Sequence, residues 1–264
     1  MKKRIVEILI AVCLSCIFAA CSSPTNGETG GTDCPDCGGF GKKSSSSNVP
    51  MSSSDGVEIS SSSNALMISW IKTGTFWISQ TEITQADYRT LMGTLPQQMT
   101  KSVGDSFPVA NVSWYEAILF ANALSKYLGL DTAFSYTLRG VGNKLGGLKI
   151  NDRVSAVRLP SREEWEFAAR AGSTGNYYWG ANPARDYAQY NNLTDGYQKI
   201  AQKKPNAWEL YDVCGNVEEW ALDTALHGGA WNSVAKELAF SASEKKLPDF
   251  ASNTSGFRVV WIGE

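Results

Sequence analysis

Apolar residues recur at helical spacing in two places along this chain, and a cap marks a third helix. From Ser113 to Tyr127, Ala117, Phe120, Ala121, Leu124 and Leu128 trace one face, and Ser113 with Glu116 forms the reciprocal S-x-x-E box that opens a helix. Ser161 and Glu164 repeat that box at the head of RLPSREEWEFAAR, where a strand end at Arg158 passes into a helix closing at Arg170, with Trp165, Ala168 and Ala169 on its buried side. A shorter helix runs from Thr84 to Met92, capped by Thr84 with Asp87 in its first turn. Ahead of it, Trp70 to Ile83 reads as strand material broken at Gly74. Beyond Arg170 periodicity dissolves into Gly, Asn, Tyr and Trp with brief strand-like pieces, and loops this long inside a compact domain are usually functional or held by ions.

The first 64 residues obey other rules. Lys2, Lys3 and Arg4 precede an apolar run from Ile8 to Ala20 that is too short to span a bilayer comfortably, the pattern of an export signal. Phe18-Ala19-Ala20-Cys21 then looks like a lipoprotein cleavage site, so Cys21 is expected to be the acylated first residue of the mature chain, tethered to a membrane without crossing it. Residues 21–64 are rich in Ser and Gly and cannot bury enough surface to order themselves. They read as a flexible tether holding the domain at 65–264 a few tens of ångströms, to order of magnitude, from the bilayer.

Charge and cysteine usage narrow the partners. The chain carries a formal charge of −2, and loss of residues 1–20 leaves about −4, which argues against a nucleic-acid partner, since that would need a basic stripe. Cys34 and Cys37 form C-P-D-C among Gly, Pro and Asp with no helix to lower a thiol pKa, which favours a local disulfide, or no role, over a redox couple. In the second informative run, LYDVCGNVEEW from Leu210 to Trp220, Gly215 permits a tight turn, Asn216 and Glu219 present oxygens, and Trp220 is an apolar anchor. The tryptophans at 114, 165, 208, 220 and 231 read first as core residues, whereas Tyr177, Tyr178, Tyr187 and Tyr190 lie in loop sequence and are better candidates for stacking on a ligand. His227, the sole histidine, reads as a packing or turn residue.

These runs resemble the formylglycine-generating-enzyme (sulfatase-modifying factor) family, whose domains carry R-L-P-T-E-A-E-W-E-x-A-A-R and G-L-Y-D-M-x-G-N-V-W-E-W. FWISQTEITQADY from Phe76, PVANVSWYEAILFAN from Pro108, Tyr178-Trp179-Gly180, Gly228-Gly229-Ala230-Trp231 and Gly256-Phe257-Arg258 match further family motifs in register. The resemblance implies an α+β, C-type-lectin-like fold, loop-rich with few helices and short strands; composition alone gives only one α+β domain.

It also implies sites. A family calcium at the G-N-V-W-E-W turn maps to Asn216 and Glu219, with Glu218 in place of the Trp, and a second maps to Asp195 in Asp195-Gly196-Tyr197, where Gln189 replaces the family Asn. Without a metal, Asn216 would simply cap the turn and Glu219 would pair with a surface base. The family's copper is held by two cysteines beyond G-G-S-W, but Asn232 to Lys246 contains none, so no copper is expected. There the family's R-S-A-x-R has become Phe240-Ser241-Ala242-Ser243-Glu244, losing both arginines. Iron-dependent relatives need a histidine cluster, which one histidine cannot supply. The expected function is therefore a non-catalytic binding or structural module in the cell envelope, in the outer membrane if the source has two membranes, that holds a protein or glycan. The alternative is an oxidoreductase acting on a protein cysteine.

Overall fold

Three helices start where the sequence predicts, each on a hydroxyl cap. The structure, a computed structural model, describes residues 65–182 and 184–263; the export signal, Cys21, the tether and the Cys34/Cys37 pair lie outside them. Helix α1, Gln85–Met92, begins on Thr84, whose Oγ1 accepts from the Asp87 amide at 3.1 Å, and stops at Gly93 with φ 82°. In α2, Trp114–Tyr127, and α3, Arg162–Arg170, the capping box is complete: the Ser113 and Ser161 amides donate to Glu116 and Glu164 at 2.9 and 2.8 Å. Each cap is worth about 1 kcal/mol. Helix α2 buries Ala117, Phe120, Ala121 and Leu124 as predicted. Leu128 leaves the stripe, because at the C-cap the chain has left helical geometry (φ −82°, ψ 1°) and the side chain turns outward.

Among the described residues, twelve short strands form the sheets. They are β1 Trp70–Lys72, β2 Trp77–Ser79, β3 Phe134–Ser135, β4 Leu138–Arg139, β5 Leu145–Gly146, β6 Lys149–Ile150, β7 Ala156–Arg158, β8 Glu218–Trp220, β9 Ala225–His227, β10 Ser243–Lys245, β11 Ser255–Gly256 and β12 Val260–Ile262. One sheet runs β1-β2-β12-β7, all antiparallel, so the last strand lies between two early ones. The second runs β10-β9-β8-β11, with β11 parallel to β8. The pairs β3-β6 and β4-β5 form two small hairpin-like ribbons.

The largest core cluster packs Phe120, Leu124, Val157, Trp220 and Phe257 around α2. A second gathers Ile78, Trp165, Trp179, Leu210 and Cys214 around α3. Between α3 and β8 the chain is almost all loop; its described residues contribute one 3-10 turn, Ala184–Asp186, and one bridge between Gln189 and Gly215. Side-chain to backbone hydrogen bonds fix this stretch. Asn206 donates to the last-turn carbonyls of Ala168 and Ala169 at 2.8 and 3.0 Å and accepts from the Trp208 and Leu210 amides. It thereby satisfies carbonyls that a helix C-terminus leaves free and anchors the returning loop in one step. Among the described residues no helix is long and apolar enough to cross a membrane.

Candidate functional site

The turn before β8 positions everything that follows. Gly215 and Asn216 take φ of 86° and 61°, and a Cβ on Gly215 would collide with the Gln189 carbonyl. The reversal drives the Asn216 side chain inward, where Oδ1 accepts from the Gln198 amide and Nδ2 donates to Glu82 Oε2, both at 2.8 Å. Successive residues of β8 then point to opposite faces. Glu219 enters the interior, and Glu218 faces a cleft on the other side.

Inside, Glu219 meets Arg258. The guanidinium donates through Nε and Nη2 to the two carboxylate oxygens at 2.7 Å each, and its other protons reach the carbonyls of Tyr211, Ser79 and Gln80. Both side chains are fully buried, and the Trp165 indole adds a third donor to Glu219 at 2.6 Å. Glu82 accepts from the Val217 amide, and Asp212 accepts from the Ala201 amide at 2.6 Å. Burial, with Asp212 and Glu219 nearby, pushes the Glu82 carboxyl well above the usual range, and burial pushes Asp212 up to about 6. Of the two alternatives in the sequence, Glu219 thus pairs with a base, but a buried one.

This donor set, as folded, does not fit a calcium at Asn216 and Glu219. Calcium seeks six to eight free oxygens, whereas the Glu219 oxygens already receive three N–H donors and an ion there would sit against a guanidinium. Asp195 is exposed, and its amide donates to Asn192 Oδ1 at 3.3 Å. Among the described residues no three Asp, Glu, His or Cys side chains converge closely enough to hold an ion. Copper finds no better donors. Asn232 to Lys246 offers hydroxyl, amide, amine and carboxylate groups, while Cys214 is buried, its thiol donating to the Leu238 carbonyl at 3.3 Å and pushed up by that burial.

The cleft on the outer face of β8 has a volume of about 390 Å³. Glu218, Glu237, Glu244 and Lys246 supply its charge, and Phe250 and Leu226 supply apolar wall. Thr254, on the residue before β11, donates to Glu218 at 3.2 Å; Lys246 ion-pairs with Glu244 and lies 4.9 Å over the Phe250 ring. Burial holds the Glu218 carboxyl above its usual range, with Glu244 and Glu237 adding to the shift. Sequence reasoning noted Glu218 and Glu244 only as departures from motifs; the pairing of β10 with β9 and β9 with β8 brings them to one cleft.

The loop tyrosines converge without forming an open platform. Tyr177 and Tyr187 stack on Trp179 at centroid distances of 4.8 and 5.8 Å, and Tyr178 turns its hydroxyl to the Tyr187 and Lys204 carbonyls. Tyr190 packs against the same cluster. Trp114, Trp165, Trp220 and Trp231 are core residues, whereas Trp208 is half-exposed, edge-on to Phe167.

Comparison with known proteins agrees with this architecture. Residues 57–262 match the sulfatase-modifying factor enzyme 1-like domain. The chain is 28% identical over 225 residues to the chaperone protein LppX of Paenibacillus barcinonensis, covering 70% of this chain and 79% of the relative. It is 34% identical over 128 residues to the inactive C-alpha-formylglycine-generating enzyme 2 of Mus musculus, covering 38% of this chain and 42% of that protein. The solved structure of Treponema denticola variable protein 1 superposes with a TM-score of 0.63 at 26% identity, over 71% of this chain and 84% of the other. With its capped helices, paired short strands and motif turns in family order, the chain belongs to the sulfatase-modifying factor enzyme 1-like family.

Proposed function

We propose that this is a lipid-anchored envelope protein whose sulfatase-modifying-factor-like domain is a non-catalytic binding module, engaging an envelope partner through the cleft beside β8. The observation that carries the reading is the content of that cleft. Where the resemblance calls for a copper-binding cysteine pair, the chain supplies Asn232, Ser233, Ser243, Glu244 and Lys246. None of these is the soft thiolate that selects Cu(I) and so supports oxygen activation. A relative named as an inactive formylglycine-generating enzyme and another named as a chaperone support a domain that holds rather than oxidises.

The test is incubation of the purified full chain with Cu(I) and a peptide carrying C-x-P-x-R, followed by mass spectrometry. The peptide cysteine is expected to survive unchanged. Copper-dependent appearance of an aldehyde product, absent from a metal-free control, would restore the oxidoreductase reading.

A further inference from the structure

Two departures from the family motifs, far apart in sequence, meet in one place. Glu218 stands where the G-N-V-W-E-W motif has tryptophan, and Glu244 stands at the second arginine of R-S-A-x-R. Both line the 390 Å³ cleft, together with Glu237. A bulky neutral residue and a cation have thus both become carboxylates at a single opening. Three acidic side chains face one ammonium there, that of Lys246.

Lys246 indicates what the opening accepts. Its ammonium pairs with Glu244 and lies over the Phe250 face, the geometry of a cation held by a carboxylate and an aromatic ring. Glu218 and Glu237 have no such partner: among the described residues neither lies within ion-pair distance of a cation. Their hydrogen bonds are to neutral donors, the Thr254 hydroxyl and the Val234 amide. A half-buried carboxylate with only a neutral partner in a cleft crowded with like charge gains most from an incoming cation.

We propose that this cleft binds a cationic side chain, an arginine or lysine of a partner polypeptide, between Glu218 and its acidic neighbours. The inference rests on the cleft being the binding site and adds the chemistry of what it binds. A glycan is disfavoured by the same walls. The cleft's aromatic ring, Phe250, already carries the Lys246 ammonium, and Trp220 beneath it is fully buried, which leaves no open ring for a sugar to stack on. The volume lies near the lower end of ligand pockets, suited to a long side chain and its flanking backbone rather than an oligosaccharide.

Fluorescence anisotropy with the full chain and a labelled Gly-Arg-Gly-Arg-Gly peptide tests this, beside the twin in which citrulline replaces arginine and beside chitotriose as a competitor. The arginine peptide is expected to bind at least about tenfold more tightly than the citrulline twin, with affinity falling as salt rises. E218Q and E244Q should each weaken it, and K246Q should strengthen it by removing the internal competitor. Should E218Q fail to fold, E244Q at the exposed Glu244 and K246Q at the half-buried Lys246 carry the test. Equal binding of the two peptides, displacement by chitotriose, or weaker binding by K246Q would overturn the cationic assignment. Such a result, with the peptide cysteine still unoxidised under copper, would leave a binding module of different preference; aldehyde formation alone would remove the binding-module reading.

Discussion

Trp165 lies with its ring 5.1 Å from that of His227, while its indole nitrogen donates to Glu219 at 2.6 Å. His227 is 1% exposed and neither ring nitrogen has a hydrogen-bond partner. Asp223 approaches to 4.0 Å, and Arg162, Glu166 and Glu219 act on the ring from α3 and β8. Burial is the largest influence and holds the imidazole below its ordinary pKa of 6.5, so the folded protein resists protonating it.

Stability should therefore depend on pH with two opposed slopes. His227, depressed in the folded state, contributes stability above pH 6.5 that is lost as pH falls toward its folded value. Asp212, raised to about 6 from 3.8, contributes stability present below pH 3.8 and lost as pH rises through 6, and Glu82 has the same sign. In H227F the first slope disappears, so acidification from pH 7 to 5 should stabilise the variant more than the wild type. Urea midpoints at the two pH values measure this. The same pH increment in both proteins would show that folding leaves the protonation of His227 unshifted.

The buried ion pair makes a separate prediction. R258Q should destabilise the fold by about 3–5 kcal/mol, because Glu219 then remains buried without its countercharge. E219Q should cost a similar amount for the converse reason, while E219Q/R258Q should fall short of the sum by more than about 1 kcal/mol. Denaturant unfolding of the four proteins gives the coupling directly, and additivity would mean that the pair acts as two independent groups.

Gly256 is constrained by its neighbours. A Cβ there would lie 2.8 Å from the Val109 carbonyl oxygen and 2.6 Å from Val217 Cγ2, so G256A should cost about 3 kcal/mol or more. At Gly93 nothing lies within 4 Å and only the positive φ of 82° opposes a side chain, so G93A should cost about 1–2 kcal/mol. Thermal melts rank the two, and a reversed order would refute the packing argument.

The proposed lipid anchor would depend on Cys21. Metabolic labelling with an alkyne fatty acid should mark the wild type and spare C21S, with the latter released from membranes on fractionation. Equal labelling would remove the lipid anchor from the proposed function.

What could be read before folding was local. The helix starts at Ser113 and Ser161 depend on interactions within four residues, and the hydroxyl–carboxylate spacing alone specifies them; the break at Gly74 follows from a single glycine at φ 85°. The ionic interior could not be read in this way. Glu82 reaches Asn216 across 134 positions, and Arg258 reaches Ser79 across 179, so no spacing rule links them. Glu219 offered the same carboxylate to a metal or a base, and only the return of Gly256-Phe257-Arg258 beneath it selects the guanidinium. The cleft stayed hidden for a related reason: Glu218 and Glu244 share it through the order of β8, β9 and β10, which the intervening irregular turns do not betray.

The place of β12 between β2 and β7 has a kinetic consequence. The first sheet is held together by Val260–Ile262, so a chain emerging in sequence order carries β2 and β7 for roughly a hundred residues with no strand to join them. Loop closure over such separations makes folding slow, and incomplete chains expose unpaired edges. Closure of this sheet is thus postponed until almost all of the domain has been delivered. A protein that crosses a membrane unfolded before assembling on the far side would gain from that delay.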